Sequence, residues 1–334
     1  MSIQFTIERL PDKANNFAEP PVNQSRFILT SCSQKCPLTR EQCEKFSNTV
    51  LPARHEKYLE EIKNLEIYED DTWVISYPKC GTTWTQETVW QISNDVDLDS
   101  EQAKKSLRTR FPFIEASSLM AENPEMKSRV QQVKEMPRPR FVKSHLPICF
   151  LPDDLWKKAK KIIYVARDPK DAAVSYFHHY FNLHEYQGTI EEYLDLYLEG
   201  NVEFGDYWDH VEQFHLIRHL PNFKFIKFED LKHNLRATLV DLANFLGKSL
   251  SEEQLEKLEQ HLQFENIKNN PAVNYSLQPP PEGHVDDDQN KRRKEFNFIR
   301  RGQTGSHRDE MPQEIIERFD KKTKERFGGY ENLY

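Results

Sequence analysis

No apolar run in this chain approaches the length of a membrane span, so a membrane partner is not expected. The opening residues, Met1 to Glu8, lack the charged start and apolar core of a signal peptide. Basic excess is missing too: 46 Lys and Arg stand against 54 Asp and Glu, a net charge of −8. That balance argues against nucleic acid as a partner, which usually demands a basic surface. Cysteine is sparse, at 5 residues (Cys32, Cys36, Cys43, Cys80, Cys149), an odd number without repeating spacing. A disulfide framework is thereby disfavoured, and a reduced, cytoplasmic protein is expected. Cys32, Cys36 and Cys43 are close enough in the chain to suggest zinc, but no histidine follows at finger-like spacing. No metal site is expected on that ground. Internal repeats are absent as well.

Bulky core groups are plentiful, with 21 Phe, 13 Tyr and 5 Trp in 334 residues. Strand and helix signals alternate, which predicts a single α/β domain with a central parallel sheet flanked by helices. Residues 1–50 are rich in Pro, Asn, Ser and Gln and read as an irregular N-terminal arm; the domain is expected over 51–334. Strands are predicted at Thr72–Ser76, around Phe141 and Val142, at Lys161–Ala166 and at Phe223–Phe228. The continuous apolar run at Lys161–Ala166 is the pattern of a strand buried on both faces. Helices are predicted at Glu56–Asn64, from Thr82 to about Val96, from Pro169 to about Tyr180, and at Leu231–Leu246 and Ser251–Leu262. The stretch 282–295 reads as a polar loop of opposed charge runs after a stiff triple proline. Ligand-binding groups are expected at the carboxyl ends of the strands.

Tyr77-Pro78-Lys79-Cys80-Gly81-Thr82-Thr83-Trp84 follows the first of these strands and opens a helix. A strand, a tight turn with glycine and a helix start aim backbone N–H groups at an anion. Gly81 permits close approach, and Thr82 and Thr83 add hydroxyl donors. It is not a Walker A loop, because Lys79 precedes the one glycine, so an ATP-dependent kinase is disfavoured. Three further blocks stand out. Lys143-Ser144-His145-Leu146-Pro147 ends a strand on an imidazole able to accept a proton. Arg167-Asp168-Pro169-Lys170-Asp171, followed by Ser175, runs from a strand end into a helix. Arg300-Arg301-Gly302-Gln303-Thr304-Gly305 is basic with two spaced glycines. Taken singly, each has a plainer explanation: a helix cap, one of twelve histidines, a surface ion pair with Asp168 or Asp171, a basic loop.

Together, in this order, the four blocks resemble the cytosolic sulfotransferases over roughly Asp71 to Phe327. That resemblance implies use of 3′-phosphoadenosine 5′-phosphosulfate (PAPS), release of adenosine 3′,5′-bisphosphate (PAP), and no metal. It implies a P-loop-like phosphosulfate site at Lys79, Cys80, Gly81, Thr82, Thr83 and Trp84. His145 corresponds to the base, with Lys79, Lys143 and Ser175 completing the catalytic set. Arg167, Ser175, Arg300, Arg301 and Gly302 correspond to a 3′-phosphate clamp, and Trp84, Phe228 and Phe264 to the adenine contacts. Phe228 replaces the family's usual tyrosine, which predicts weaker cofactor binding by about 0.5–1.5 kcal/mol. Phe113, Lys143, His145, Phe177 and His179, with His178, Tyr180 and Phe181, are expected around a small hydrophobic hydroxylated acceptor such as a phenol, steroid or polyene alcohol. The Phe264–Asn270 stretch and the Ser-x-Phe-His-His helix are similar to an arthropod branch that includes retinol dehydratase, which makes dehydration of a retinoid-like alcohol the alternative. A PAPS-binding protein without turnover is the third reading. The family's C-terminal dimer motif is broken at Arg308, Pro312, Gln313 and Glu317, so a monomer or a differently built dimer is expected.

Overall fold

A computed structural model describes residues 4–16, 24–119, 127–184, 186–277, 298–330 and 333. The polar loop expected at 282–295 lies outside the described residues. Four parallel strands form the central sheet: β4 (Thr72–Ser76), β5 (Phe141–Ser144), β6 (Lys161–Ala166) and β7 (Phe223–Lys227), in the order β5-β4-β6-β7. Their register aligns Ile75 with Ser144, Ser76 with Val165, and Ala166 with Lys227, so the carboxyl ends lie side by side.

The strand sequences explain the burial. Trp73 and Ile75 of β4 join one apolar cluster while Val74 joins the other; Ile162 and Tyr164 of β6 alternate likewise with Ile163 and Val165. Such alternation between two cores is why these strands read as unbroken apolar runs. One face is covered by the helices Thr82–Ser93 and Leu235–Leu246, the other by Pro169–Leu183, Tyr207–Leu216 and Gln313–Phe327. The stretch read as one helix over Leu231–Leu246 divides into Phe228–His233 and Leu235–Leu246, separated at Asn234. The chain leaves β4 toward β5 on one side and returns to β6 on the other, so the turn after β4 sits at the switch point of the sheet.

The first fifty residues differ from expectation. They hold β1 (Phe5–Arg9), β2 (Gln24–Leu29) and β3 (Asn48–Pro52), an antiparallel sheet in the order β1-β2-β3, and the helix Arg40–Phe46. The boundary drawn at residue 50 falls inside β3. Partners far away in the chain hold this sheet: Arg26 donates to Asn48 Oδ1, Gly200 O and Asn201 Oδ1, and Phe204 N–H donates to Val50 O. The three arm cysteines also gain a fourth neighbour, since Cys149 meets Cys32, Cys36 and Cys43. Local spacing around Cys32, Cys36 and Cys43 carries no sign of this distant thiol.

Candidate active site

Every strand of the parallel sheet hands the chain to a site block: β4 to Tyr77–Trp84, β5 to His145, β6 to Arg167 and β7 to Phe228. At the first tip, Gly81 adopts φ 89° and caps the helix Thr82–Ser93. A Cβ at Gly81 would come within 2.5 Å of the Phe228 ring, so the glycine is required both by its left-handed backbone and by that packing. Lys79 also has positive φ, at 66°, an uncommon state for a side-chain-bearing residue and one that is costly to hold. Ser76 and Thr82 join through their hydroxyls at 2.6 Å, and Cys80 is fully buried. Burial pushes its thiol well above the usual range. The Phe228 ring packs edge-on to Trp84 at 5.6 Å and under the Arg167 guanidinium at 4.6 Å.

His145 is buried, and its Nδ1 lies 2.7 Å from Ser76 O. A carbonyl can only accept, so Nδ1 carries the proton and Nε2 keeps its lone pair. Burial, then the neighbouring Lys143 ammonium, holds the imidazole well below its ordinary pKa, so it is neutral at physiological pH. Its backbone is fixed as firmly as its ring. His145 N–H and Leu146 N–H donate to Glu115 Oε1 at 2.9 and 3.0 Å, and Ser144 Oγ donates to the same oxygen. Burial pushes Glu115 up to about 7. Tyr164 OH donates to His210 Nδ1 at 2.8 Å, and His210 Nε2–H donates to His145 O at 2.9 Å. Phe113 and Phe204 flank the imidazole edge-on at 5.0 and 5.4 Å.

Lys143 is buried with its ammonium 4.2 Å from the Phe113 ring centroid, and its backbone bridges to Pro112 O and Ile114 N. Burial pushes it down to about 8. Lys79 stands 4.1 Å from the Phe298 ring centroid and is pushed down to about 7 by burial and then by Lys143, Arg167 and Arg300. Neither lysine forms an ion pair among the described residues. A cluster of cations that depress one another is a site short of an anion.

Arg167 fastens three blocks together. Its Nη1 donates to Lys79 O at 3.1 Å and its Nη2 to Gln303 O at 2.9 Å. On the following helix, Asp171 accepts from Gly305 N–H at 2.6 Å and His307 N–H at 2.9 Å. Burial opposes its charge, yet the bonds from His307 and the Arg167 guanidinium hold it down to about 2. Ser175 lies between Asp171 and His178 on the same helical face and therefore toward the 300–310 loop. Gly302 has φ 58°, and a Cβ there would meet the Phe264 ring at 2.3 Å. Lys232 Nζ lies 5.8 Å from the ring centroids of both Trp84 and Phe264, so the two rings border one ammonium. Arg300 and Arg301 each pair at 2.6 Å with an acidic side chain, Glu310 and Asp309 respectively.

The helix Pro169–Leu183 distributes its aromatic run differently from expectation. His179 lies 6.1 Å from the Phe298 ring that also meets Lys79, and burial, then the Lys79 ammonium, pushes it well below its ordinary pKa. Phe177, two positions away, is turned to the other face, where its ring meets Phe181 and Tyr193. Tyr180 is core, its hydroxyl accepting from Gln24 Nε2 and Glu203 N–H. Phe181 is exposed, and His178 bonds Glu310. A 100° step per residue spreads five consecutive side chains around the helix, so they cannot all line one cavity. Ser76, Glu115, Phe204, His210 and Phe298 belong to the site and were not foreseen. A buried Glu three residues into an apolar segment, as at Phe113-Ile114-Glu115, was the one available signal.

The chain is similar to known proteins in sequence and fold. A family profile described as "Sulfotransferase domain" matches residues 69–331. The luciferin sulfotransferase of Photinus pyralis is 34% identical over 84% of this chain and 78% of its own length. "Sulfotransferase 1E1" of Cavia porcellus is 31% identical over 86% of this chain and 94% of its own. A crystal structure of retinol dehydratase in a complex with retinol and PAP superposes with a TM-score of 0.81 at 27% identity, covering 100% of both chains.

Proposed function

The chain belongs to the sulfotransferase family and is a sulfotransferase, and we propose that His145 is its general base and that its acceptor is a small hydrophobic alcohol or phenol. One observation carries the assignment: Nδ1–H of a buried, neutral imidazole is committed to Ser76 O, beside Lys79 and Lys143. Nε2 is then the atom that takes the acceptor's hydroxyl proton. Help of this kind is worth roughly 10²–10⁴ in rate. Phe113 and Phe204 exclude water from the imidazole and offer apolar walls to the acceptor. His179 is the polar contact we assign to that cavity; Phe177 we withdraw from it.

When bound, PAPS supplies the sulfuryl group. The residues fit it. Gly81 and Gly302 leave backbone open where a side chain would collide with Phe228 and Phe264. Lys79, Cys80, Gly81, Thr82 and Thr83 would hold the phosphosulfate, and Lys79 and Lys143 would oppose the negative charge that grows there. Arg167, Ser175, Arg300, Arg301 and Gly302 would hold the 3′-phosphate, with Arg300 and Arg301 exchanging Glu310 and Asp309 for it. Trp84, Phe228 and Phe264 would border the adenine. We further propose a cytoplasmic location, and a monomer or a dimer that does not use the C-terminal motif. The division into an N-terminal arm and a catalytic domain is kept in this proposal, with the arm drawn over 1–50 extended to the end of β3 at Pro52 and the domain drawn over 51–334 beginning after it.

Dehydration of a retinoid-like alcohol is kept as a second reading, favoured by the full-length structural likeness to retinol dehydratase. Sulfur-labelled PAPS, a panel of phenols, steroids and retinoid alcohols, and wild type beside His145→Ala test both. Label on an acceptor with wild type, and none with the variant, supports transfer. Free labelled sulfate together with loss of a retinoid alcohol selects dehydration. PAP binding with neither outcome leaves a protein that binds the nucleotide without turnover and overturns the proposal.

A further inference from the structure

We propose that Cys32, Cys36, Cys43 and Cys149 form a structural zinc site that ties the N-terminal sheet to the segment carrying His145. The four Sγ atoms all lie within 4.8 Å of one another. Cys32 and Cys149 approach to 2.6 Å and Cys36 and Cys43 to 3.5 Å. Thiolates about 2.3 Å from a tetrahedral zinc are separated by about 3.8 Å, a spacing this cluster reaches with small side-chain rotations. Two close pairs, Cys32 with Cys149 and Cys36 with Cys43, share one cluster small enough for a single ion.

Each thiol arrives on an independently held piece of backbone. Cys36 closes a turn by donating its N–H to Ser33 O. Cys43 rides the helix Arg40–Phe46, which Thr39 and Gln42 cap reciprocally. Cys149 sits in the short 3₁₀ turn Ile148–Phe150, anchored by Ile148 N–H donating to Gln213 Oε1. Three residues separate Cys32 from Cys36, within the usual ligand spacing. Lys63, ion-paired with Asp153, donates to Cys149 O and Leu151 O and so fixes the backbone at this thiol.

Four thiolates supply the tetrahedral coordination that a zinc ion takes from sulfur. Each Zn–S bond replaces one S–H bond and releases its proton to solvent, four protons for full loading, with no change of oxidation state. Four protein ligands close the tetrahedron, so the ion is structural and has no open position for catalysis. Cys149 lies on the same short connection as His145, Leu146 and Pro147. The ion would therefore clamp the far end of the turn whose near end holds the imidazole.

The experiment needs neither PAPS nor acceptor, so its result is separate from the functional reading. The full chain is purified under reducing conditions with zinc present, and bound metal is counted. About one zinc per chain is expected, with Cys36→Ser and Cys43→Ser retaining roughly tenfold less. Replacement by cobalt in wild type should give the strong visible absorption of a tetrahedral cobalt thiolate, which decides the matter even if the variants fail to fold. Absence of bound zinc, zinc unaffected by both substitutions, a cobalt spectrum without thiolate charge transfer, or a Cys32–Cys149 disulfide in the reduced preparation would each overturn the proposal.

Discussion

The carboxyl edge of the parallel sheet and the antiparallel sheet at the N-terminus are built on opposite plans. At the first, each of four strands ends on a residue of the site, and the strands are apolar on both faces. At the second, β1 is largely exposed, while β2 and β3 bury Phe27, Leu29, Val50 and Leu51 in the larger core and add polar contacts such as those of Arg26. The first plan shows itself in unbroken apolar runs; the second buries its side chains against distant partners that the arm's own residues do not announce. The chemistry we propose lies at the first, where fixed geometry suits moving protons and charges.

The sharpest way to break the contrast is His145→Ala. It should lower kcat about 10²–10⁴-fold. Its Kd for PAP, measured by calorimetry, should stay within about threefold, since a base contributes to the transition state rather than to cofactor binding. An equal loss of PAP affinity would reduce His145 to a structural role.

Next in size is the opposite end of the same sheet. Arg140 and Asp71 form a buried bidentate pair at 2.8 and 2.5 Å, next to the start of β4. Asp71→Ala strands the guanidinium and should cost about 3–5 kcal/mol in denaturant unfolding. KM should be unaffected in the fraction that folds. A loss below about 1 kcal/mol would mean that the sheet's amino end is not rigid as described.

The cationic cluster makes a pH-dependent claim. Lys79 is pushed down to about 7 by burial and by other cations, so it is charged below that pH and loses its charge above it. An anion favours the charged form. PAP affinity should therefore be flat below about pH 7 and fall above it, by up to about tenfold per unit, until the pKa of the bound state is passed. Lys79→Met should bind PAP more weakly and lose that pH response. His145, held below its ordinary pKa, should keep kcat insensitive to acid down to about pH 6.5.

The smallest effect belongs to the arm. Arg26→Ala removes three hydrogen bonds and should cost about 1 kcal/mol. Hydrogen exchange should quicken in β2 and β3 while β4 and β6 remain protected. Equal loss of protection in both sheets would show that they open as one unit.

Much of the central sheet was legible because its signals are local. Lys161–Ala166 was bounded correctly from its apolar run, and the Pro169 helix start follows from the Asp168 cap and a proline at the first turn. The four blocks proposed for the site stand out for the same reason, as each is a short run of special residue types. The aromatic run after Ser175 gives no sign of which rings meet the core, since helical rotation sends Phe177 and His179 to opposite faces. Glu115 and His210 were missed because their importance lies in contacts with His145 across 30 and 65 residues of chain.

By itself the sequence determined which residues end the parallel strands, where glycine must replace a side chain, and where those four strands run. Those properties depend on neighbours within a few positions. Only the tertiary structure decided that Ser76 O takes the Nδ1 proton of His145, that Arg167 joins Lys79 to Gln303, and that Cys149 completes a cluster with Cys32 from 117 residues away. These are distances between groups remote in the chain, and no local periodicity encodes them; packing of the two cores against the sheet sets them.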